Sequence, residues 1–252
     1  MTSPAVSVLI PTRNRLPLLE RTLRSVVGQT IGASEIEVVV VNDGGESPAQ
    51  LLRGQELRAA LIETPGTGQV PARALALQAA RAERIALLDD DDTWEPDHLE
   101  RLLAALGDGR GLVCSWGSLD LYRSGDLVER RSFHPEFHPG LLRRTNPILA
   151  SSVVYRRSLH DQLGGFDPAL PYYWDWDWYL RVQSCARITM LPRQTVRVRV
   201  NLDGGNTSDP GNPAIAANLA LLCRKHDLGT LPVHNFLSAL DQGSLWSAGG
   251  EP

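Results

Sequence analysis

The chain is poor in cysteine, has no long apolar run and carries no basic excess, and each shortage excludes a class of protein. Its three cysteines, Cys114, Cys185 and Cys223, are scattered and odd in number. No C-x-x-C pair is present, so the pattern encodes neither a zinc site nor a disulfide framework, and it suits a reducing compartment. No segment approaches the roughly 18–20 consecutive apolar residues of a membrane span. Strand-like sequence begins within the first ten residues, where a secretory leader would show a charged segment and then an apolar one. The expectation is a cytoplasmic protein without a transmembrane segment, a peripheral place at the inner membrane face being left open. The formal net charge of -4 argues against a nucleic-acid partner, because general binders carry a basic stripe.

What is present is ordinary globular material. Hydrophobic residues make up 42% and charged residues 21% of the 252 positions, enough for a core that needs neither disulfide nor structural metal. In the first half, apolar runs alternate with helical spacing. Val6 to Ile10 reads as a strand stopped by Pro11, and Leu16 to Val27 repeats apolar residues at helical intervals. Glu37 to Val41 is nearly continuous and β-branched, as in a parallel strand covered on both faces, and ends at the turn signal Asn42 to Gly45. Pro48 to Ala60 and Pro71 to Ala82 read as helices, with a short strand at Ala60 to Glu63. Arg84 to Leu88 reads as a strand, and Pro96 to Leu106 as a helix with proline at its first position.

Strand–helix alternation of this kind implies an α/β fold: a Rossmann-like, mostly parallel central sheet with helices on both faces. Ligands then bind beyond the carboxyl ends of the strands, which places Pro11-Thr12, Asn42-Asp43 and Asp89 to Asp92 along one edge. The second half predicts a hairpin, Leu112 to Arg123 and Asp126 to Arg131, turning at Ser124-Gly125. After a loop over Ser132 to Asn146 come a strand at Ser151 to Arg156 and a short helix at Ser158 to Leu163. An aromatic-acidic helix spans Tyr172 to Ser184, a strand Thr195 to Val200, and a helix Ala214 to His226. These later strands are expected to form a small mixed second sheet. The boundaries suggested are 1–110 for a nucleotide-binding half, 111–202 for an acceptor-binding half, and 203–252 for a flexible loop, C-terminal helix and tail.

The run Asp89-Asp90-Asp91-Asp92 carries the strongest chemical signal. Adjacent carboxylates repel one another unless a cation or hydrogen-bond donors offset their charge. A hard divalent ion shared with diphosphate oxygens would do so, whereas an acidic helix start would explain the run without a ligand.

In these segments the chain resembles the inverting family-2 glycosyltransferases of the GT-A fold. The matching stretches are VSVLIPTRNR from Val6, EVVVVNDGG from Glu37, PARALAL from Pro71, IALLDDDDTWEPDHLE from Ile85, GGFD from Gly164 and WDWDWYLRV from Trp174. The resemblance implies that Pro11, Thr12, Arg13 and Asn14 lie by the nucleotide, that Asp43 meets the base, and that Arg73 stands near the diphosphate, 91 − 73 = 18 residues before Asp91. It implies that Asp89 and Asp90 lie near ribose and diphosphate and that Asp91 is the direct ligand of Mn²⁺ or Mg²⁺, though four consecutive aspartates leave the choice among Asp89, Asp90 and Asp91 open. Asp175 takes the place of the general base. Trp174, standing where the family has Glu, together with Trp176 and Asp177, is assigned to the acceptor side.

The activity implied is transfer of a sugar from a nucleotide diphosphate, most often UDP, to an acceptor hydroxyl with inversion. The acceptor, whether carbohydrate, lipid-linked or a small molecule, is not legible, and a homo-oligomer is left open. Two departures, Trp174 for Glu and Ala74 for Asn, keep a non-catalytic nucleotide-sugar-binding protein as the alternative. A haloacid-dehalogenase-type phosphatase fits only the D-x-D-x-T of Asp89, Asp91 and Thr93, which would sit on the wrong strand. His134 and His138 read as loop histidines. The pairs Arg130-Arg131, Arg143-Arg144 and Arg156-Arg157 read as solvated surface, with an anionic ligand as the other option.

Overall fold

The computed structural model describes residues 3–204 and 211–241. The Asn206-Thr207-Ser208 sequon, most of the loop expected from Asp203, and the tail beyond 241 lie outside the described residues. In chain order the strands are β1 (Val6–Thr12), β2 (Ile36–Asn42), β3 (Arg58–Glu63), β4 (Arg84–Leu87), β5 (Thr93–Trp94), β6 (Leu112–Arg123), β7 (Asp126–Phe133), β8 (Val153–Arg156) and β9 (Ile188–Asn201). The helices are α1 (Leu16–Val27), α2 (Ala49–Arg53), α3 (Gln69–Ala79), α4 (His98–Leu106), α5 (Ser158–Leu163), α6 (Trp174–Gln183), α7 (Pro213–His226) and α8 (Phe236–Asp241).

Among the described residues all nine strands join one sheet, in the order β3-β2-β1-β4-β8-β6-β9-β5, with β7 paired to β6 off that path. The first four are parallel, as the βα alternation demands. β8 is antiparallel to both β4 and β6 and welds the halves together, so the later strands extend the first sheet where a separate small one was expected. Period-two alternation divides the strands between two cores. Leu9, Val39, Val41 and Leu87 face α3, α6 and α7, while Val8, Ile10, Val38, Val40 and Leu88 face α1 and α4.

Several boundaries differ from the sequence reading for identifiable reasons. β1 continues through Pro11. In a parallel strand alternate residues address the same neighbour, and Leu9 accepts from Leu88 on the β4 side while Thr12 accepts from Asp43 on the β2 side. Pro11 therefore turns its missing N–H toward β4, where pairing has already ended at Leu87, and nothing is lost. α2 stops at Arg53 instead of running to Ala60, because Gly54 ends it and β3 begins at Arg58. α4 begins at His98, since the Pro96 carbonyl is engaged by the Thr30 N–H. β9 is far longer than Thr195 to Val200. Pro192 interrupts its alternation, and the chain absorbs it as a bulge where the register against β6 shifts between Ser115 and Trp116. The β6–β7 hairpin turns at Ser124 and Gly125, whose φ values of 51° and 90° are those of a tight two-residue turn.

Candidate active site

The carboxyl ends of β1, β2 and β4 meet as expected, and the four aspartates after β4 divide into two kinds. Asp90 is buried with both oxygens occupied: Thr12 Oγ1 donates at 2.7 Å and Arg15 Nη1 at 3.3 Å. Asp92 is also buried, accepting from Ser151 Oγ at 2.5 Å and from the Arg199 N–H at 2.9 Å, which ties β4 to β9. Burial raises the pKa of both, most strongly at Asp92. Asp89 and Asp91 remain open, their side chains 38% and 22% exposed. Asp90, expected near the diphosphate, is therefore committed to protein donors, and the open carboxylates alternate along the chain. Asp91 meets Arg15 at 2.9 Å and is pushed up to about 7 by burial and by the charges of Asp89 and Asp90.

Around this run the loops lock one another. Asp43 accepts from Thr64 Oγ1, from the Thr67 N–H and hydroxyl, and from the Gly68 N–H at 2.8 Å. Burial opposes its ionisation, but those donors outweigh it and hold the carboxyl below the usual range. Asp43 thereby shapes the loop leading into α3. Asn14, in the left-handed region at φ 55°, receives the Glu46 N–H. Gly45 is required there, because a Cβ on it would lie 1.8 Å from Asn14 Oδ1. Arg13 is exposed with its guanidinium beside Gly66.

Arg73 joins the two halves of the site. It lies on α3, 2% exposed, forms an ion pair with Asp89, receives support from Gln69 Oε1 at 3.0 Å, and stacks 4.1 Å over Trp174 of α6. Gln69 in turn donates to the Pro171 carbonyl at 2.6 Å, fixing α3 to the entry of α6.

On α6 the acidic pair separates. Asp175 is half-buried in the cleft and accepts from Asn146 Nδ2 at 2.9 Å. Burial pushes its carboxyl up to about 6, against the Trp176 N–H, Asn146 and the charge of Arg73. Asp177, assigned with the tryptophans to the acceptor side, is fully buried away from that cleft. It binds Arg181 at 2.7 Å, Lys225 at 2.7 Å and His226 at 2.8 Å, because residues two apart on a helix address different faces. Burial again opposes ionisation, but His226, Lys225 and Arg181 bring it down to about 2. Trp174 is packed between Arg73 and Phe166, and Trp176 donates to the Leu142 carbonyl at 2.7 Å while bordering the cleft.

A family model, glycosyl transferase family 2, matches residues 7–162, more than half of the chain. The chain belongs to that family. It is a glycosyltransferase with the GT-A architecture. It is 31% identical over 246 residues to the uncharacterized glycosyltransferase YwdF of Bacillus subtilis, covering 95% of this chain and 91% of that protein. Chondroitin synthase of Pasteurella multocida is 27% identical over 212 residues, which are 81% of this chain and 21% of the synthase. Among solved structures, S. aureus TarS 1-349 in complex with UDP-GlcNAc aligns with a TM-score of 0.67 at 20% identity, covering 87% of this chain and 66% of that one. Mannosyltransferase PcManGT of Pyrobaculum calidifontis, in complex with GDP-Man and Mn2+, aligns with a TM-score of 0.62 at 20% identity, over 90% and 64% of the two chains.

This glycosyltransferase also uses residues that its sequence did not announce. Arg15, at the end of the first matching stretch, bridges Asp90 and Asp91. Thr22 of α1 caps the acidic loop through the Asp90 and Asp92 carbonyls, at 3.0 and 2.7 Å. Asn146, Pro232 and residues 234–236 line the same cleft as Asp175, and none has a local sequence signal. The basic pairs are largely engaged by their own chain: Arg130 with Asp120, Arg131 with Glu129, Arg143 with the Asp227 carbonyl and Arg157 with that of Ala80. His134 packs against Trp116. No described helix is long and apolar enough to cross a membrane.

Proposed function

We propose that the chain catalyses divalent-cation-dependent, inverting transfer of a sugar from a nucleoside diphosphate to an acceptor hydroxyl, with Asp175 as general base. One observation carries the reading: Arg73, paired with Asp89 and stacked on Trp174, joins the acidic strand end to the helix turn that bears Asp175.

The acidic loop suits a hard cation, because Asp89 and Asp91 are open oxygen donors in a crowd whose negative charge Arg15 and Arg73 only partly offset. Among the described residues no three His, Cys, Asp or Glu side chains cluster into a complete cage, as fits an ion held by one or two carboxylates and completed by the diphosphate. Asp91 and Asp89 would hold Mn²⁺ or Mg²⁺, which when bound offsets the charge of the departing diphosphate. Arg73 stabilises that same charge from the protein side. Asp175 accepts the acceptor proton, its pKa placed by burial nearer to neutrality than an exposed aspartate's. A UDP-sugar is the favoured donor, by analogy with TarS bound to UDP-GlcNAc, and the GDP-Man complex of PcManGT makes guanosine the comparison.

Thermal shift with UDP-, GDP- and dTDP-sugars, with and without Mn²⁺, tests the donor reading. A donor at a hundredfold excess over its dissociation constant should stabilise the chain by about 2.7 kcal/mol. Asp175→Asn should keep that shift and lose turnover. Absence of any nucleotide-dependent shift, or unaltered turnover in Asp175→Asn, would refute the proposal.

A further inference from the structure

The segment after α7 gave no sequence signal, yet it runs beside Asp175. Leu231 and Val233 pack on the core beneath α3, α6 and α7, whereas Phe236, Leu237 and Leu240 pack on the core beneath α1 and α4. Residues 231–240 therefore cross from one face of the sheet to the other as a strap. Phe236 anchors the crossing, its ring edge-on to Phe133 of β7 at 5.3 Å.

Where it crosses, the strap walls an open cleft of about 90 Å³. Asn146, Tyr173, Asp175 and Trp176 face it from the body of the protein, and Asn235 and Phe236 from the strap. Aromatic surface on both sides suits the C–H faces of a saturated ring. The Asn235 carboxamide supplies hydrogen bonds: its Oδ1 caps α8 at the Ser238 N–H, 2.8 Å away, and its Nδ2 has no partner among the described residues. Asn146 is already committed, receiving the Ile148 N–H and donating to Asp175. Arg144, Thr145, Tyr172 and His234 complete the lining, and polar groups interleaved with aromatic rings beside a carboxylate match a polyhydroxylated ring better than a flat apolar ligand.

We propose that the strap builds the acceptor subsite and that this subsite takes a hexose-type ring of a carbohydrate acceptor, presenting one hydroxyl to Asp175. The inference rests on Asp175 being the base. The acceptor oxygen bonds to the anomeric carbon as the bond from that carbon to the diphosphate breaks. The hydroxyl proton passes to Asp175, and the diphosphate leaves with the electron pair.

Saturation-transfer NMR on the full chain tests this, with UDP and Mn²⁺ filling the donor site and the methyl glycosides of glucose, galactose, mannose and N-acetylglucosamine as probes. At least one glycoside should take up saturation on its ring protons. Phe236→Ala should weaken that probe by about tenfold, and Phe236→Tyr should restore it, with UDP affinity the same in all three proteins. Asn235→Ser keeps an N-cap for α8 while removing the carboxamide, so it should weaken the probe at an unchanged melting temperature. A wild-type protein that binds UDP but none of the glycosides would overturn the proposal. So would equal glycoside affinity in wild type, Phe236→Ala and Asn235→Ser. Failure of UDP itself to bind would be a different result, removing the nucleotide-sugar reading and this one with it.

Discussion

At the scale of single residues, identical side chains acquire different chemistry from what surrounds them. Asp175 and Asp177 are two positions apart, yet burial lifts one carboxyl to about 6, while donors from His226, Lys225 and Arg181 bring the other down to about 2. If Asp175 is the base, kcat/KM should fall about tenfold per pH unit below about 6 and level off above it. Asn146 donates to the charged form, so Asn146→Ala should move that acid limb to higher pH. A pH–rate profile of both proteins measures this. An acid limb that does not move would separate Asn146 from the titrating group. The acidic run repeats the lesson. Spacing shows four carboxylates at a strand end, but Asp90 and Asp92 point into protein donors while Asp89 and Asp91 stay open. Thr12 of β1, Arg15 ahead of α1, Ser151 in the turn before β8 and the Arg199 N–H of β9 make that division, and no local pattern encodes it.

At the scale of elements, α6 holds Asp175 in place because its other face is clamped. Asp177 ties the first turn of α6 to the last turn of α7 through Lys225 and His226, and closes an i,i+4 pair with Arg181. Removing one partner of a buried cluster strands the others, so Asp177→Ala should cost about 3–5 kcal/mol, read from urea unfolding. Lys225→Ala should cost less, since Arg181 and His226 remain bonded to Asp177. The sign with pH follows from the depressed pKa. Asp177 stabilises the fold fully above its unfolded value near 3.9, and that contribution is lost as pH falls toward about 2. The helix itself was legible from its aromatic-acidic pattern and its family resemblance. Its clamp was not, because α7 lies some fifty residues away.

At the scale of the whole molecule, the two halves are held in one sheet by β8 and β9 and by buried polar links that cross between them. His98 of α4 is fully buried, stacked on Trp94 at 4.4 Å and joined to Thr195 of β9 at 2.7 Å, and Thr195 donates to Ser115 of β6. Burial lowers its pKa to about 3, so below about 6.5 the unfolded chain binds a proton that the folded one refuses. The stability difference between wild type and His98→Asn should therefore shrink by about 1.4 kcal/mol per pH unit below 6.5, measured as urea midpoints from pH 7 to pH 4. A constant difference would show that His98 is protonated in the folded state.

The sequence by itself determined the parallel βα half, the strand-end positions of Thr12, Asp43 and Asp89, and the family, because hydrophobic periodicity, turn residues and short motifs are local. Only the tertiary structure decided that the later strands extend the first sheet, that Asp90 and Asp177 serve the fold, and that the C-terminal strap borders Asp175. Those outcomes depend on which distant donor, cation or ring arrives at a side chain, and contacts across a hundred residues leave no periodic trace in the chain.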